Sequence, residues 1–160
     1  MRERSAVVVT VSDGVSAGTR VDESGPALVD LLSDHGFSVQ LVVIADERDR
    51  LAELIGDLAR TASLVVTTGG TGFSPRDVTP EATRSVIERE APGLAEAMRA
   101  SGRQKTPFAD LSRGVAGIIG STIVLNVPGS PKGALESLSA VMPIISHALD
   151  HLGGDTEHAT

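Results

Sequence analysis

An apolar, β-branched run that breaks into glycines and restarts as a helix is compatible with few folds, and residues 64 to 80 are such a run. Leu64-Val-Val-Thr-Thr68 has the composition of a strand buried on both faces. Gly69-Gly70-Thr71-Gly72 interrupts it, and Thr79-Pro80-Glu81-Ala82 carries a helix start, with Thr79 suited to the N-cap and Pro80 to the first helical position. Strand, tight loop and helix in that order make half of a βαβ unit, whose next strand must run parallel to the first.

The rest of the chain repeats the alternation. Ser5 to Ser12 reads as a buried strand, and Asp13 to Val21 as a Gly/Ser/Thr loop. From Ser24 a helix with Leu28, Leu31 and Leu32 at helical spacing is expected to stop at Gly36. Phe37 to Ala45 is a second strand, Asp46 to Thr61 a helix with Leu51, Leu54, Ile55 and Leu58 on one stripe, and Ser63 to Thr68 a third strand. The helix from Thr79 should reach Glu90. Pro92-Gly93 separates it from a shorter helix over Leu94 to Arg99, and Ser101 to Pro107 is a polar loop. Val115 to Val127 reads as a hairpin turning at Gly120-Ser121, and a long helix after Pro128-Gly129-Ser130-Pro131 should carry a kink or break at Pro143. The expected fold is α/β: a three-layer α/β/α arrangement with a mostly parallel sheet and an antiparallel edge hairpin. Residues 1–152 form one domain, and 153–160 read as a frayed tail.

Composition narrows the partners. A net charge of −7 with three Phe and neither Trp nor Tyr is the wrong surface for nucleic acid, which needs basic stripes and stacking rings. Zero Cys removes disulfides, thiolate metal sites and cysteine nucleophiles. No signal-peptide or membrane-spanning apolar run is seen, so a cytoplasmic location is expected.

In an open parallel sheet, ligands bind beyond the carboxyl ends of the strands. Three loops fall there: Ser12-Asp13-Gly14, Thr68 to Asp77, and Asn126 to Gly133. Gly69, Gly70, Thr71 and Gly72 would let backbone N–H groups approach a phosphate with no Cβ in the way, although a tight turn alone could also require them. Neither the P-loop nor the dinucleotide spacing is present. Asp77 and Asp46 each lie between a strand end and a helix start. Carboxylates so placed can hold Mg²⁺ against phosphate oxygens, or can simply favour the helix dipole. Ser12, Asp13 and Lys132 share the rim. Arg103, Lys105, Thr106, Ser112 and Arg113 form a basic, hydroxyl-bearing cluster that suits a second anionic group, or a solvated loop. His147 and His151 read as surface or interface residues.

The segment Thr68-Gly-Gly-Thr-Gly-Phe-Ser-Pro-Arg-Asp-Val-Thr-Pro80-Glu-Ala-Thr closely resembles the MogA/MoaB molybdopterin-binding family, which includes the G domains of gephyrin and its plant relatives. The likeness continues through Val11-Ser-Asp13, Ala45-Asp46-Glu47, Glu90-Ala-Pro-Gly93, Thr106-Pro107, Leu111-Ser-Arg113 and Asn126-Val-Pro-Gly-Ser-Pro-Lys132. One departure is Gly102, which stands where some G domains have serine; Ser101 precedes it. The resemblance implies a homotrimer that binds molybdopterin and, in MogA-type members, uses Mg²⁺ and ATP to adenylylate it with release of pyrophosphate. It implies Asp46 and Asp77 as the essential, metal-holding aspartates, and Gly69 to Gly72 with Thr106 and Ser112 on the molybdopterin phosphate. Ser12, Asp13, Pro128, Gly129 and Ser130 are implied on the nucleotide side, and a molybdate-inserting enzyme as a possible partner. MoaB-type relatives imply an alternative, a molybdopterin-binding accessory protein without transferase activity.

Overall fold

The computed structural model describes residues 4–154. Six strands form one sheet in the order β2-β1-β3-β6-β5-β4. The strands β1 (Ser5–Val11), β2 (Ser38–Ile44), β3 (Leu64–Thr68) and β6 (Thr122–Val127) run parallel, and β5 (Ala116–Ile119) and β4 (Arg89–Glu90) add antiparallel pairings at one edge. The helices are α1 (Asp13–Ser16), α2 (Ser24–Asp34), α3 (Arg48–Leu58), α4 (Thr79–Val86), α5 (Pro92–Arg103) and α6 (Pro131–Leu152), with a 3-10 turn over Pro107–Leu111.

The three-layer expectation holds, and strand alternation shows why. Ala6 and Val8 of β1, Leu64 and Val66 of β3, and Ile123, Leu125 and Val127 of β6 point to one core with α2, α5 and α6. Their neighbours Val7, Val9, Val11, Val65 and Val124 point to a second core with Leu51 and Ile55 of α3 and Ala82 of α4. Strands covered on both faces have no solvent side, hence the continuous aliphatic runs in β1 and β3. Register aligns Thr10 with Thr68, and Thr68 with Val127, so the three loops that follow leave the sheet on one rim.

Four assignments differ from the sequence reading, beyond shifts of two or three residues at helix ends. Within the expected Asp13–Val21 loop, Asp13–Ser16 turns as α1, because the Ser12 side chain accepts from Val15 N and caps it. The helix expected to reach Glu90 stops at Val86. Glu88 N and Ala91 N donate to the carbonyls of Ile118 and Ala116, which draws Arg89–Glu90 into the sheet as an edge strand. Thr79 is the first helical residue and not the cap; the cap position is Val78, without a side-chain bond. Pro92-Gly93 opens α5, which runs on through Ser101 to Arg103. The long helix is as expected, and of the kink or break expected at Pro143 the break does not occur: α6 runs through it. The carbonyl that Pro143 leaves unpaired belongs to exposed Ser139, where water can satisfy it. The hairpin is as expected, with Gly120 at φ +56° in its turn. Gly153 and Gly154 close α6, and the rest of the expected tail, residues 155–160, lies outside the described residues.

A buried polar network joins sheet to helices below the rim. The Asn126 amide donates to the Thr67 and Thr83 hydroxyls at 2.9 and 3.0 Å, and its carbonyl oxygen accepts from Val115 N at 3.1 Å. Replacing Asn126 with Leu strands those partners in a dry environment. Urea unfolding should therefore show a loss of about 2–4 kcal/mol, beyond what one neutral hydrogen bond provides. A loss under about 0.5 kcal/mol would mean that the network carries little of the stability.

Candidate functional site

The carboxyl ends of β1, β3 and β6 frame a cleft of about 740 Å³. It is lined by the glycine loop, by Ser12, Asp46 and Asp77, and by Pro128, Gly129 and Ser130. The segment Arg20 to Ser24, where the loop after α1 enters α2, closes another side.

The glycine loop needs glycine for geometry at two positions. Gly69 has φ +100°, and a Cβ there would lie 2.4 Å from the Val11 carbonyl oxygen. Gly70 has φ +68°, and a Cβ would meet the Thr79 hydroxyl at 2.3 Å and Asp46 Oδ1 at 3.1 Å. Thr79 then fastens the loop from the helix side. Its hydroxyl donates to Gly69 O at 2.9 Å and its N–H to Gly70 O at 3.1 Å. Below, the Thr68 hydroxyl bonds Pro128 O at 2.8 Å and Ser24 Oγ at 3.1 Å, which ties the glycine loop to the Pro128 loop.

Both aspartates stand against this loop. Asp46 Oδ1 is 3.1 Å from where a Gly70 Cβ would be, and Asp77 Oδ2 is 2.8 Å from the equivalent point on Gly72. Asp77 Oδ2 also accepts from Ser74 N at 3.0 Å, which orients the carboxylate. Asp46 and Asp13 exchange bonds: Asp13 N donates to Asp46 Oδ2 at 2.9 Å, and Asp46 N to Asp13 Oδ1 at 3.0 Å. Burial pushes the Asp46 carboxyl above the usual aspartate range. The Asp13 N–H works against that rise, while the negative charges of Asp13 and Asp77 add to it. Asp13 is held below its ordinary value, first by the Arg76 guanidinium and then by the Asp46 N–H. Arg76 reaches it with Nε and Nη2 at 2.9 and 3.0 Å.

Among the described residues, neither Asp46 nor Asp77 is in an ion pair. Two unneutralised carboxylates facing one cleft are hard oxygen donors suited to Mg²⁺. No cluster of three or more metal-ligating side chains exists among the described residues.

Thr106 and Ser112 line a different space, a cavity of about 230 Å³ between α5, the 3-10 turn and α6. It shares Pro128 and Ser130 with the main cleft, so the two adjoin. Several predicted hydroxyls are engaged locally: Ser12 caps α1, Thr106 caps the 3-10 turn and Ser130 caps α6. Ser112 Oγ accepts from Gly114 N at 3.3 Å. Asp13 stands behind Asp46, with its carboxylate bound to Arg76.

The cations of the basic cluster are each paired with an acid, and only Arg113 reaches the glycine loop. Arg103 pairs with Asp110, Lys105 with Glu136 and Arg113 with Glu81. A count of basic residues could not reveal these acids, because Glu136 and Glu81 lie on distant helices. Gly102 packs on Ala109, 2.7 Å from where its Cβ would be, so a serine there would crowd the 3-10 turn. His147 and His151 sit on the exposed side of α6 with ring centroids 4.2 Å apart.

Burial pushes the Glu81 carboxyl up, but the bond to Arg113, its own backbone N–H and the nearby guanidinium charges outweigh this and hold it below 4.5. A lowered carboxyl stabilises the fold above its unfolded pKa, and that contribution is lost as pH falls through the folded one. Wild-type thermal melts should therefore stay above those of Glu81→Gln by a constant margin at neutral pH. The margin is expected to be below about 1 kcal/mol for so exposed a pair and to shrink once pH drops below 4.5. Parallel curves throughout acid titration would contradict this.

Residues 7–147 match the family described as "Probable molybdopterin binding domain". The molybdopterin adenylyltransferase of Helicobacter pylori J99 is 39% identical over 153 residues, covering 92% of this chain and 87% of that protein. The Drosophila melanogaster molybdenum cofactor synthesis protein cinnamon is 38% identical over 152 residues; the match covers 92% of this chain and only 25% of that longer protein. The chain thus spans about a quarter of the length of that relative. A solved structure of the molybdopterin biosynthesis enzyme MoaB from Thermus thermophilus superposes with a TM-score of 0.88 at 46% identity, covering 94% of this chain and 97% of the other.

Proposed function

The chain belongs to the molybdopterin-binding domain family, and from that premise we propose that it is a molybdopterin adenylyltransferase using Mg-ATP. The observation that carries the reading is the position of two carboxylates, Asp46 and Asp77, in no ion pair among the described residues and set against a loop whose glycines leave backbone open to a phosphate. In this reading Gly69 to Gly72 orient the terminal phosphate of molybdopterin, and Thr106 and Ser112 receive it from the adjoining cavity. Ser12, Pro128, Gly129 and Ser130 face the nucleotide, with Asp13 supporting from behind Asp46.

A phosphate oxygen of molybdopterin attacks the α-phosphorus of ATP. The new P–O bond gives adenylylated molybdopterin, and the bond to the β-phosphate breaks to release pyrophosphate. Asp46 and Asp77 would hold Mg²⁺, which would supply positive charge against that building on the departing pyrophosphate. The Asp13 N–H fixes the direction of the Asp46 carboxylate, and the Ser74 N–H does so for Asp77. No side-chain nucleophile is required, so positioning and electrostatics carry the acceleration.

The same reading treats residues 1–152 as one unit. It brings with it a homotrimer, a cytoplasmic location and delivery of the product to a molybdate-inserting enzyme. Among the described residues, no helix is long and apolar enough to cross a membrane. Sedimentation at three times the 16.5 kDa chain mass would support the trimer. The MoaB-type resemblance leaves one alternative, a molybdopterin-binding accessory protein without transferase activity. Pyrophosphate release that requires both Mg-ATP and molybdopterin supports the transferase. Molybdopterin binding with no release supports the alternative.

A further inference from the structure

We propose that Arg113 is a positioning residue of this site: it clamps the glycine loop and the backbone of Asp77 without touching either substrate. The proposal rests on the transfer reading above for its catalytic consequence and on geometry alone for the clamp.

Between Gly72 and Asp77 the chain makes an excursion, Phe73-Ser-Pro-Arg76, whose four residues are all exposed. Such a segment buries little and would not by itself hold a carboxylate still. Within itself it makes two bonds, Asp77 N to Ser74 O and Ser74 N to Asp77 Oδ2, and its tip is tied to Asp13 through the exposed Arg76 side chain. Arg113 spans the base of the excursion. Nε donates to Gly72 O at 2.8 Å, Nη2 to Asp77 O at 2.8 Å and Nη1 to the Glu81 carboxylate at 2.5 Å. Its backbone N–H donates to Thr71 O at 2.9 Å. Four points along Thr71 to Glu81 therefore hang on one residue more than thirty positions further along the chain.

The chemistry requires arginine. A planar guanidinium reaches three acceptors in fixed directions, whereas an ammonium has one point of attachment. Both carbonyls belong to the loop, and the Asp77 carbonyl lies on the residue whose carboxylate faces the cleft. Arg113 thus acts on Asp77 through the peptide and leaves its carboxylate free. The guanidinium is held in turn: Glu81 neutralises it, and Arg99 bonds Gly114 O at 2.8 Å to fix the peptide behind it. Ser112 and Gly114, on either side, line the Thr106 cavity, so the clamp also joins that wall to the loop.

Outer-sphere groups that orient metal ligands are typically worth about 10- to 100-fold in metal affinity or activity. For Arg113→Met the proposal predicts two changes. Amide exchange over Gly70 to Asp77 should accelerate about tenfold or more, with β1, β3 and β6 unchanged. At saturating substrates kcat should fall about 10- to 100-fold, and the Mg²⁺ concentration for half-maximal rate should rise by a similar factor. Arg113→Lys keeps the charge and folds more safely; it should show the same exchange change and restore only part of the rate. Wild-type exchange over the loop in both variants overturns the clamp. Accelerated exchange with unchanged kcat and Mg²⁺ dependence overturns the positioning role. Should the wild type release no pyrophosphate, the transfer reading fails, and loop exchange still decides the clamp.

Discussion

Asp77→Asn should reduce turnover by about a hundred- to a thousandfold, roughly 3–4 kcal/mol of transition-state stabilisation, with molybdopterin affinity within a few-fold of wild type. The substitution keeps the shape and leaves an oxygen to accept from Ser74 N, so the loop geometry survives. What disappears is one negative charge, half of the carboxylate pair offered to the metal. The effect on stability should run the other way. The Asp77 charge adds to the cost of ionising Asp46, so removing it relieves repulsion and the melting temperature should stay level or rise. Opposite signs for activity and stability mark a residue held for function at the expense of the fold. A variant that melts early and loses activity would place Asp77 among the structural residues.

Gly69→Ala should be the most damaging single-methyl change in the chain, with a loss on the order of 3–5 kcal/mol that leaves little folded protein. Two penalties combine. At φ +100° an L-residue is strained wherever it stands, which alone costs about 1–2 kcal/mol. The new methyl would also sit 2.4 Å from the carbonyl oxygen of Val11, backbone of a central strand that cannot yield. Gly36→Ala provides the control: φ is +85° and nothing lies within 4 Å of the added carbon. Its urea midpoint should shift by only the conformational part. Equal losses at the two glycines would mean that the contact with Val11 O contributes nothing.

Much of this arrangement was legible in the residues because the relevant signals are local. β1 and β3 announce two-sided burial by aliphatic runs without alternation, and the glycines after β3 mark the point where backbone must pass close to Val11 and Thr79. Asp46 and Asp77 could be placed on one rim because the strand order puts every loop of that phase on the same edge. Features fixed by distant partners were not legible. Arg89–Glu90 has no strand composition and joins the sheet through backbone bonds to β5 alone. Arg113 looks like one more cation of a basic loop until Gly72, Asp77 and Glu81 are brought to it. Arg76 finds Asp13 across 63 positions, and no spacing rule links the two. The second cavity escaped notice for the same reason: α5, the 3-10 turn and α6 each look ordinary, and the space exists only between them.

The most direct test of the central claim follows the α-phosphate. Wild-type protein is incubated with Mg²⁺, molybdopterin and ATP labelled at the α-phosphorus, and the pterin is then separated and counted. Transfer of label to molybdopterin, one equivalent for each pyrophosphate released and none in Asp77→Asn above the residual rate expected for that variant, is the predicted result. Label that stays in ATP while molybdopterin is bound would contradict the account and leave a binding protein in its place.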